Sequence, residues 1–359
     1  MKRDGLKWAK AAPGVIPAWV ADMDLPTAPA VVEALQARAA GDLGYPVWLD
    51  SETGGPLAEA FAERMATRYG WEADPGVVRS FDDINQALQV LLQVWTTAGD
   101  GVAVHTPAYH PFLGTIESMG RTLRPIQFRP DGDGWRADDA DLGGCRVLLL
   151  VNPHNPTGRV FTRVELEGLA EQAERHDLLV IADEIHADLV YEPHRHIPFA
   201  TILPERTVTL TSATKAFNLG GIRCSVAHLG MPEVRKALAE QPEFIYGSPN
   251  LFGVEATVAA WRHGDAWLAG TLSLLDRNRR TLAARLPSSV GYRMPEATYL
   301  AWLNVGRPGM ADVLEQEARV MLNDGAIFGP GGEDCVRLNF ATTEEILAEI
   351  VTRIAPVLG

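Results

Sequence analysis

The sequence predicts an α/β protein: a large domain on a mostly parallel mixed sheet sandwiched by helices, followed by a smaller α+β domain. Three observations predict it. At 359 residues the chain exceeds the usual size of a single core. Through its middle, short apolar runs alternate with helical stretches, the pattern of a parallel sheet with right-handed crossovers. The runs are short, apolar and Val- and Leu-rich, as suits strands buried on both faces.

Taken in order, residues 1–34 form an irregular arm rich in Pro and Trp, assigned to the smaller domain. Residues 28–40 (APAVVEALQARAA) and 56–69 (PLAEAFAERMATRY) place apolar residues at helical spacing, the second with Pro in its first turn. The large domain is expected over 35–255. Its strands are GVAVH (101–105), RVLLLV (146–151), LLVIAD (178–183) and RTVTLT (206–211), with helices at 86–97, around PFLGTIESMG, and at 162–176. The smaller domain, 256–359, holds a long helix clearest over 265–286, a strand at 298–305, a helix at 311–323 and a last strand, CVRLNF.

The charge balance is 32 minus 46, or −14, which disfavours a nucleic-acid partner. No apolar run approaches the roughly 20 residues that cross a bilayer, and the opening MKRDGLKWAKAAPG has no apolar core of a secretory signal. The three cysteines, Cys145, Cys224 and Cys335, are far apart and odd in number, as expected of a reducing cytoplasm.

In an open parallel sheet, ligands bind beyond the carboxyl ends of the strands. The residues just after each apolar run are therefore the candidates for a site. GVAVH is followed by TPAYHPF, which offers Tyr109, and RVLLLV by NPHNPTG, which offers Asn155. LLVIAD ends in Asp183, with Glu184 and His186 after it, and RTVTLT leads into SATK, with Ser212, Thr214 and Lys215. Lys215 is conspicuous because only five of the 32 basic residues are lysine and it sits among small uncharged neighbours.

An aromatic ring, an amide, a carboxylate and an amine thus share one sheet edge. A buried carboxylate wants a cationic partner, such as a pyridinium. An aromatic face can cover a flat ring, an amide can donate to a phenolate, and a lysine with a depressed pKa can condense with an aldehyde. Together these describe pyridoxal 5′-phosphate (PLP), with hydroxyls of Ser212 and Thr214 and the Arg223 fork available to its phosphate. Singly, each residue has an ordinary explanation: a loop lysine, an Asp cap, an Asn-Pro turn, a core tyrosine. A metal reading of Asp183 with His186, His194 and His196 has loose spacing, and the proline-flanked HRH reads as exposed; no metal is expected.

NPHNPTG, ADEIH, SATKAFNLGG and CVRLNF, in that order, resemble the fold-type I PLP enzymes of the aminotransferase class I/II superfamily. Within it, WVADMDLPTAP, TPAYHPF, DEIH, KAFNLGG and ATYLAWLN look most like the cystathionine β-lyase group of MalY/PatB type, over essentially the whole chain. The resemblance implies Lys215 and Tyr109 as catalytic residues, Lys215 holding PLP and then moving the α-proton while Tyr109 stacks on the ring. It further implies Asp183 on the ring nitrogen, Asn155 on the ring hydroxyl with His186 nearby, and Arg337 on the substrate α-carboxylate with the Ala21 backbone close by. Family members are dimers with shared sites, so Tyr45 is expected at the partner's phosphate.

Two positions depart from the family pattern. The turn that cradles the phosphate, often led by glycine, is DDIN here, with the Ile84 and Asn85 amides facing the phosphate at a helix start and Asp83 expected to point away. Arg223 is shared with the aminotransferases, whereas several of the lyases lack it. The implied reaction is β-elimination from a cysteine S-conjugate to thiol, pyruvate and ammonia. Transamination and decarboxylating deamination are the alternatives. Trp19, Tyr45, Tyr299 and the arm over residues 21–25 are the expected walls of the side-chain pocket.

Overall fold

The computed structural model describes residues 5–50, 55–138, 141–242, 245 and 247–359. Residues 1–4 of the expected arm lie outside them. The largest sheet has eight strands: β2 (Val78–Phe81), β3 (Gly101–Thr106), β4 (Thr122–Asp131), β5 (Gly134–Ala137), β6 (Cys145–Val151), β7 (Leu179–Asp183), β8 (Thr207–Thr211) and β9 (Ser225–Leu229). Their spatial order is β2-β9-β8-β7-β6-β3-β4-β5. The inner run β8-β7-β6-β3-β4 is parallel, while β9 is antiparallel to both of its neighbours and β5 to β4. The four strands read from the apolar runs are the sheet's centre. The flanking strands β2, β4, β5 and β9 carry more polar sequence and are not announced by an apolar run.

Alternation along the central strands feeds two cores. Val147, Leu149 and Val151 of β6, with Leu179 and Ile181 of β7, join one cluster, and Leu148, Leu150, Val180 and Ala182 join the other. Each fully buried Val, Leu or Ile contributes about 1.5–3 kcal/mol. The first cluster is closed by α4 (Ile84–Trp95), α5 (His110–Ser118) and α7 (Pro232–Ala239), the second by α6 (Arg163–Arg175). Helix α6 begins with the capping box its sequence spells, Thr162 and Glu165 bonding each other's backbone N–H.

Three further helices, α2 (Pro29–Ala39), α3 (Gly55–Tyr69) and α8 (Leu251–His263), pack together. The long α9 (Asp265–Arg285) leads to a four-stranded antiparallel sheet, ordered β10-β11-β14-β13: β10 (Gly291–Tyr292), β11 (Leu300–Asn304), β13 (Asn323–Asp324) and β14 (Cys335–Asn339). Helix α11 (Glu344–Leu358) packs against α9.

The helix expected over 311–323 is shorter. It has one α turn, α10 (Met310–Val313), then a π turn (Leu314–Ala318), and stops at Arg319, whose φ is +56°. That left-handed residue frees β12 (Val320–Met321) to pair in parallel with β1 (Ile16–Pro17) of the arm.

Candidate active site

The carboxyl ends of the parallel strands open into a cavity of about 280 Å³. Every expected catalytic, cofactor-binding and carboxylate-binding residue except Tyr45 lines it; of the expected side-chain walls, Trp19 and Ala21 do so and Tyr299 does not. Strand direction explains the assembly. Tyr109, Asn155, Asp183 and Lys215 follow or end β3, β6, β7 and β8. Strand β9 runs the other way, so Arg223 precedes it at the same edge; β2 runs with β8 and delivers Asp83, Ile84 and Asn85 there.

Lys215 is partly buried and lines the cavity. Its Nζ donates to the Ala21 carbonyl at 3.1 Å, and burial, then the Arg337 charge, lower its pKa against the pull of Asp22 and Asp183. The Tyr299 hydroxyl donates to the same carbonyl at 2.9 Å. Tyr299 is completely buried behind the arm, so it braces the wall and does not form it. Its direction is set by Thr298, a β-branched residue at φ +70° whose carbonyl receives the Tyr191 hydroxyl at 2.5 Å. Such a residue in the left-handed region costs about 1–3 kcal/mol and persists only where its surroundings fix it.

Asp183 is 4% exposed. Burial drives its carboxyl up to about 7, against one local hydrogen bond from the Ile185 N–H at 3.1 Å. It caps no helix, since the next helical turn starts at Ala187. A carboxyl so destabilised as an anion, with an amine nearby that is itself depressed, is short of a cation. A protonated ring nitrogen supplies one, and on this observation the residues fit PLP.

At the other end stands Arg337, buried at the centre of the four-stranded sheet and stacked 4.8 Å over Phe328. It donates to Asn155 Oδ1 at 3.0 Å, to the Trp19 carbonyl at 3.0 Å and to Asn323 Oδ1 at 2.8 Å. Burial lowers its pKa to about 10, so it remains a cation at neutral pH. A guanidinium only donates. Both amide oxygens must therefore face it, which leaves the Asn155 and Asn323 NH2 groups to donate elsewhere. For Asn155 this is the orientation that a ring hydroxyl oxygen requires.

The arm between Ala18 and Asp24 is held carbonyl by carbonyl. Besides the bonds to Trp19 and Ala21, Asn339 Nδ2 reaches the Val20 and Asp22 carbonyls at 2.6 and 2.7 Å. Asn218, at φ +58°, exchanges two bonds with the Met23 backbone, at 2.8 and 3.0 Å. Lys7 and Trp8 grip the Asp24 carboxylate, each at 2.7 Å. The NPHNPTG loop is equally fixed. Gly158 sits at φ +71°, and a Cβ there would lie 2.3 Å from Pro295 Cβ, so only glycine fits.

The phosphate end differs from expectation in one respect. Asp83 does not point away from the cavity. It caps α4, its Oδ1 accepting from the Gln86 N–H at 2.8 Å, and its Oδ2 pairs with Arg223. Ser212 donates its proton to the Cys224 carbonyl at 2.5 Å, so Thr214 offers the freer hydroxyl. Tyr109, at the start of α5, has its phenol pKa raised by burial and is hydrogen-bonded by Asn85.

The three histidines of the metal reading are dispersed. His186 faces the cavity, neutral, its pKa lowered to about 3 by burial and by the Lys215 and Arg337 charges. His196 is buried, contrary to the exposed loop expected, with Nε2 3.1 Å from Glu184 Oε2 and its ring against Tyr69. His194 lies near Glu296. Among the described residues, no group of three or more His, Cys, Asp or Glu is placed to hold a metal. Tyr45 is 95% exposed and lies outside the cavity. Asn323, Asn218 and Asn339 escape sequence reasoning; each acts through contacts distant in sequence, and although Asn218 lies inside KAFNLGG and Asn339 inside CVRLNF, neither motif assigns it a role.

Comparison with known proteins bears on this arrangement. The model of the family described as aminotransferase class I and II matches residues 20–354. A putative cystathionine β-lyase of Mycobacterium tuberculosis is 37% identical, covering 99% of this chain and 94% of its own. The crystal structure of OvoB superposes with a TM-score of 0.93 at 34% identity, over 100% of this chain and 97% of that one. A putative PLP-dependent β-cystathionase of Corynebacterium diphtheriae does so at 0.88 and 30%, over 99% and 96%. A cavity whose lysine, aspartate and arginine fall where PLP chemistry needs them, on a chain matched along nearly its full length, belongs to the aminotransferase class I and II family.

Proposed function

We infer that this chain is a PLP-dependent carbon–sulfur β-lyase that cleaves a cysteine S-conjugate of cystathionine type to a thiol, pyruvate and ammonia. The observation that carries the reading is one cavity holding a pKa-depressed Lys215, a cation-seeking Asp183 and a fixed Arg337. The lyase assignment within the family rests on relatives named cystathionine β-lyase and β-cystathionase.

Asp183 would pair with the ring nitrogen, Asn155 would donate to the ring hydroxyl oxygen with His186 beside it, and Tyr109 would cover the ring. Ser212, Thr214, Arg223 and the Ile84 and Asn85 amides would hold the phosphate. When bound, PLP supplies the electron sink for the pair released as the substrate Cα–H bond breaks. Arg337 takes the α-carboxylate, beside the Ala21 backbone, and so orients the Cα–H bond. Lys215 Nζ takes the α-proton, and burial has already lowered its pKa toward that task. The proton held on Nζ is then available to the departing sulfur. The arm, packed over the cavity, excludes water from the exchange.

We also propose a homodimer, in which exposed Tyr45, between exposed Leu43 and Val47, serves the phosphate site of the second copy. The proposed partners are a small amino-acid substrate and no nucleic acid. A cytoplasmic location is supported by three free, buried cysteines. The proposed division is an arm over 1–34, a PLP-binding domain over 35–255 and a smaller domain over 256–359.

The test is to supply L-cystathionine and S-alkyl cysteines and follow thiol and pyruvate. Release of both supports the lyase. Turnover that yields no thiol and requires a 2-oxo acid would replace it with an aminotransferase, and release of carbon dioxide with a decarboxylating deaminase.

A further inference from the structure

We propose that Asp83 is an internal competitor of the cofactor phosphate and so sets the affinity of the site for PLP. This rests on the PLP reading above and concerns a residue which that reading leaves without a role. The phosphate end offers an anion three kinds of donor: the first-turn amides of α4, the Thr214 hydroxyl and the Arg223 guanidinium. Asp83 already engages two of them. Its Oδ1 accepts from the Gln86 N–H of the first turn at 2.8 Å, and its Oδ2 pairs with Arg223.

Asp82 and Asp83 both line this end of the cavity, against one cation, Arg223, for a local sum of −1. The cavity's other arginine, Arg337, is engaged with Asn155, Asn323 and the Trp19 carbonyl at the opposite end. A phosphate dianion here either shares Arg223 with Asp83 or displaces it, and in both cases it meets a carboxylate at short range. Asp83 is only 25% exposed in its side chain, so water screens the repulsion incompletely. Arg223 is held in the left-handed region, at φ +58°, which limits how far its backbone can follow a phosphate away from Asp83.

The experiment uses the full chain stripped of cofactor, as wild type, Asp83→Asn and Asp83→Ser; both replacements retain a capping oxygen for the Gln86 N–H. Each is titrated with PLP, with pyridoxal, which lacks the phosphate, and with inorganic phosphate read by thermal shift. Removing the carboxylate should tighten PLP about tenfold. Pyridoxal affinity should stay unchanged, and inorganic phosphate should stabilise the variants more than the wild type. Added salt should narrow the PLP gap. Equal PLP affinity in all three chains, weaker binding in both variants, or an equal gain for pyridoxal would overturn the proposal while leaving the PLP reading intact. Failure of every chain to take up PLP would overturn both.

Discussion

Asp183 gives the most quantitative handle on the site. Replacing it by Asn keeps an oxygen for the Ile185 N–H and removes the buried charge. Its carboxyl is raised from 3.8 to about 7, so the fold binds more protons than the unfolded chain between those values. The penalty from this group is therefore absent below pH 3.8, grows as pH rises and is complete above about 7. Integration gives a cost of about 4 kcal/mol at pH 8 and about 2 kcal/mol at pH 5.5. Asp183→Asn should thus stabilise the cofactor-stripped chain by about that much, more at pH 8 than at pH 5.5, in urea unfolding. His186 acts oppositely, since a histidine held neutral to about 3 loses stability as pH falls below 6.5. It is common to both chains and drops out of their difference. Equal stability of the two chains at pH 8 would refute the claim that Asp183 waits for a cation.

Four other substitutions probe the remaining roles. Lys215→Ala should lower turnover by at least about 100-fold and abolish borohydride fixation of PLP to the chain, seen by intact mass. Arg337→Ala should raise KM for the amino acid at least about tenfold through loss of a charge-assisted pair, and Asn323→Ala should do so less, as a measured KM series would show. Tyr299→Phe removes only the hydroxyl that steadies the Ala21 carbonyl. We expect kcat to fall about tenfold with KM unchanged and the α-deuterium isotope effect to grow; an unchanged isotope effect with a raised KM would mark the hydroxyl as merely structural.

The sheet centre and the residues at its carboxyl edge are legible in the sequence because a doubly buried strand leaves an unbroken apolar run, and the first polar residue after it faces the ligand edge. The flanking strands are not. Thr122–Asp131 and Val78–Phe81 alternate with polar residues and gain their place only from neighbours far along the chain. Arg337 stands out by its motif, but its partner Asn323 sits opposite it across a strand pair of two residues, which no local pattern announces. Charge alone would send Asp83 away from the phosphate end. Helix capping and the Arg223 pair keep it there instead. His196 lies in a proline-rich stretch that reads as open loop, yet packing against Tyr69 buries it.

The grip on the arm bears on when the protein can work. The carbonyl acceptor of Lys215 belongs to Ala21, whereas the groups that immobilise that stretch include Asn218, Tyr299, Arg337 and Asn339. The arm and β14, the last strand of the four-stranded sheet in chain order, therefore complete the site together. A nascent chain can have formed the large sheet and still lack a closed pocket, because residues 299–339 have yet to leave the ribosome. A closed pocket thus waits on β14, and a fragment stopping short of it would carry Lys215 in the wrong surroundings to use it.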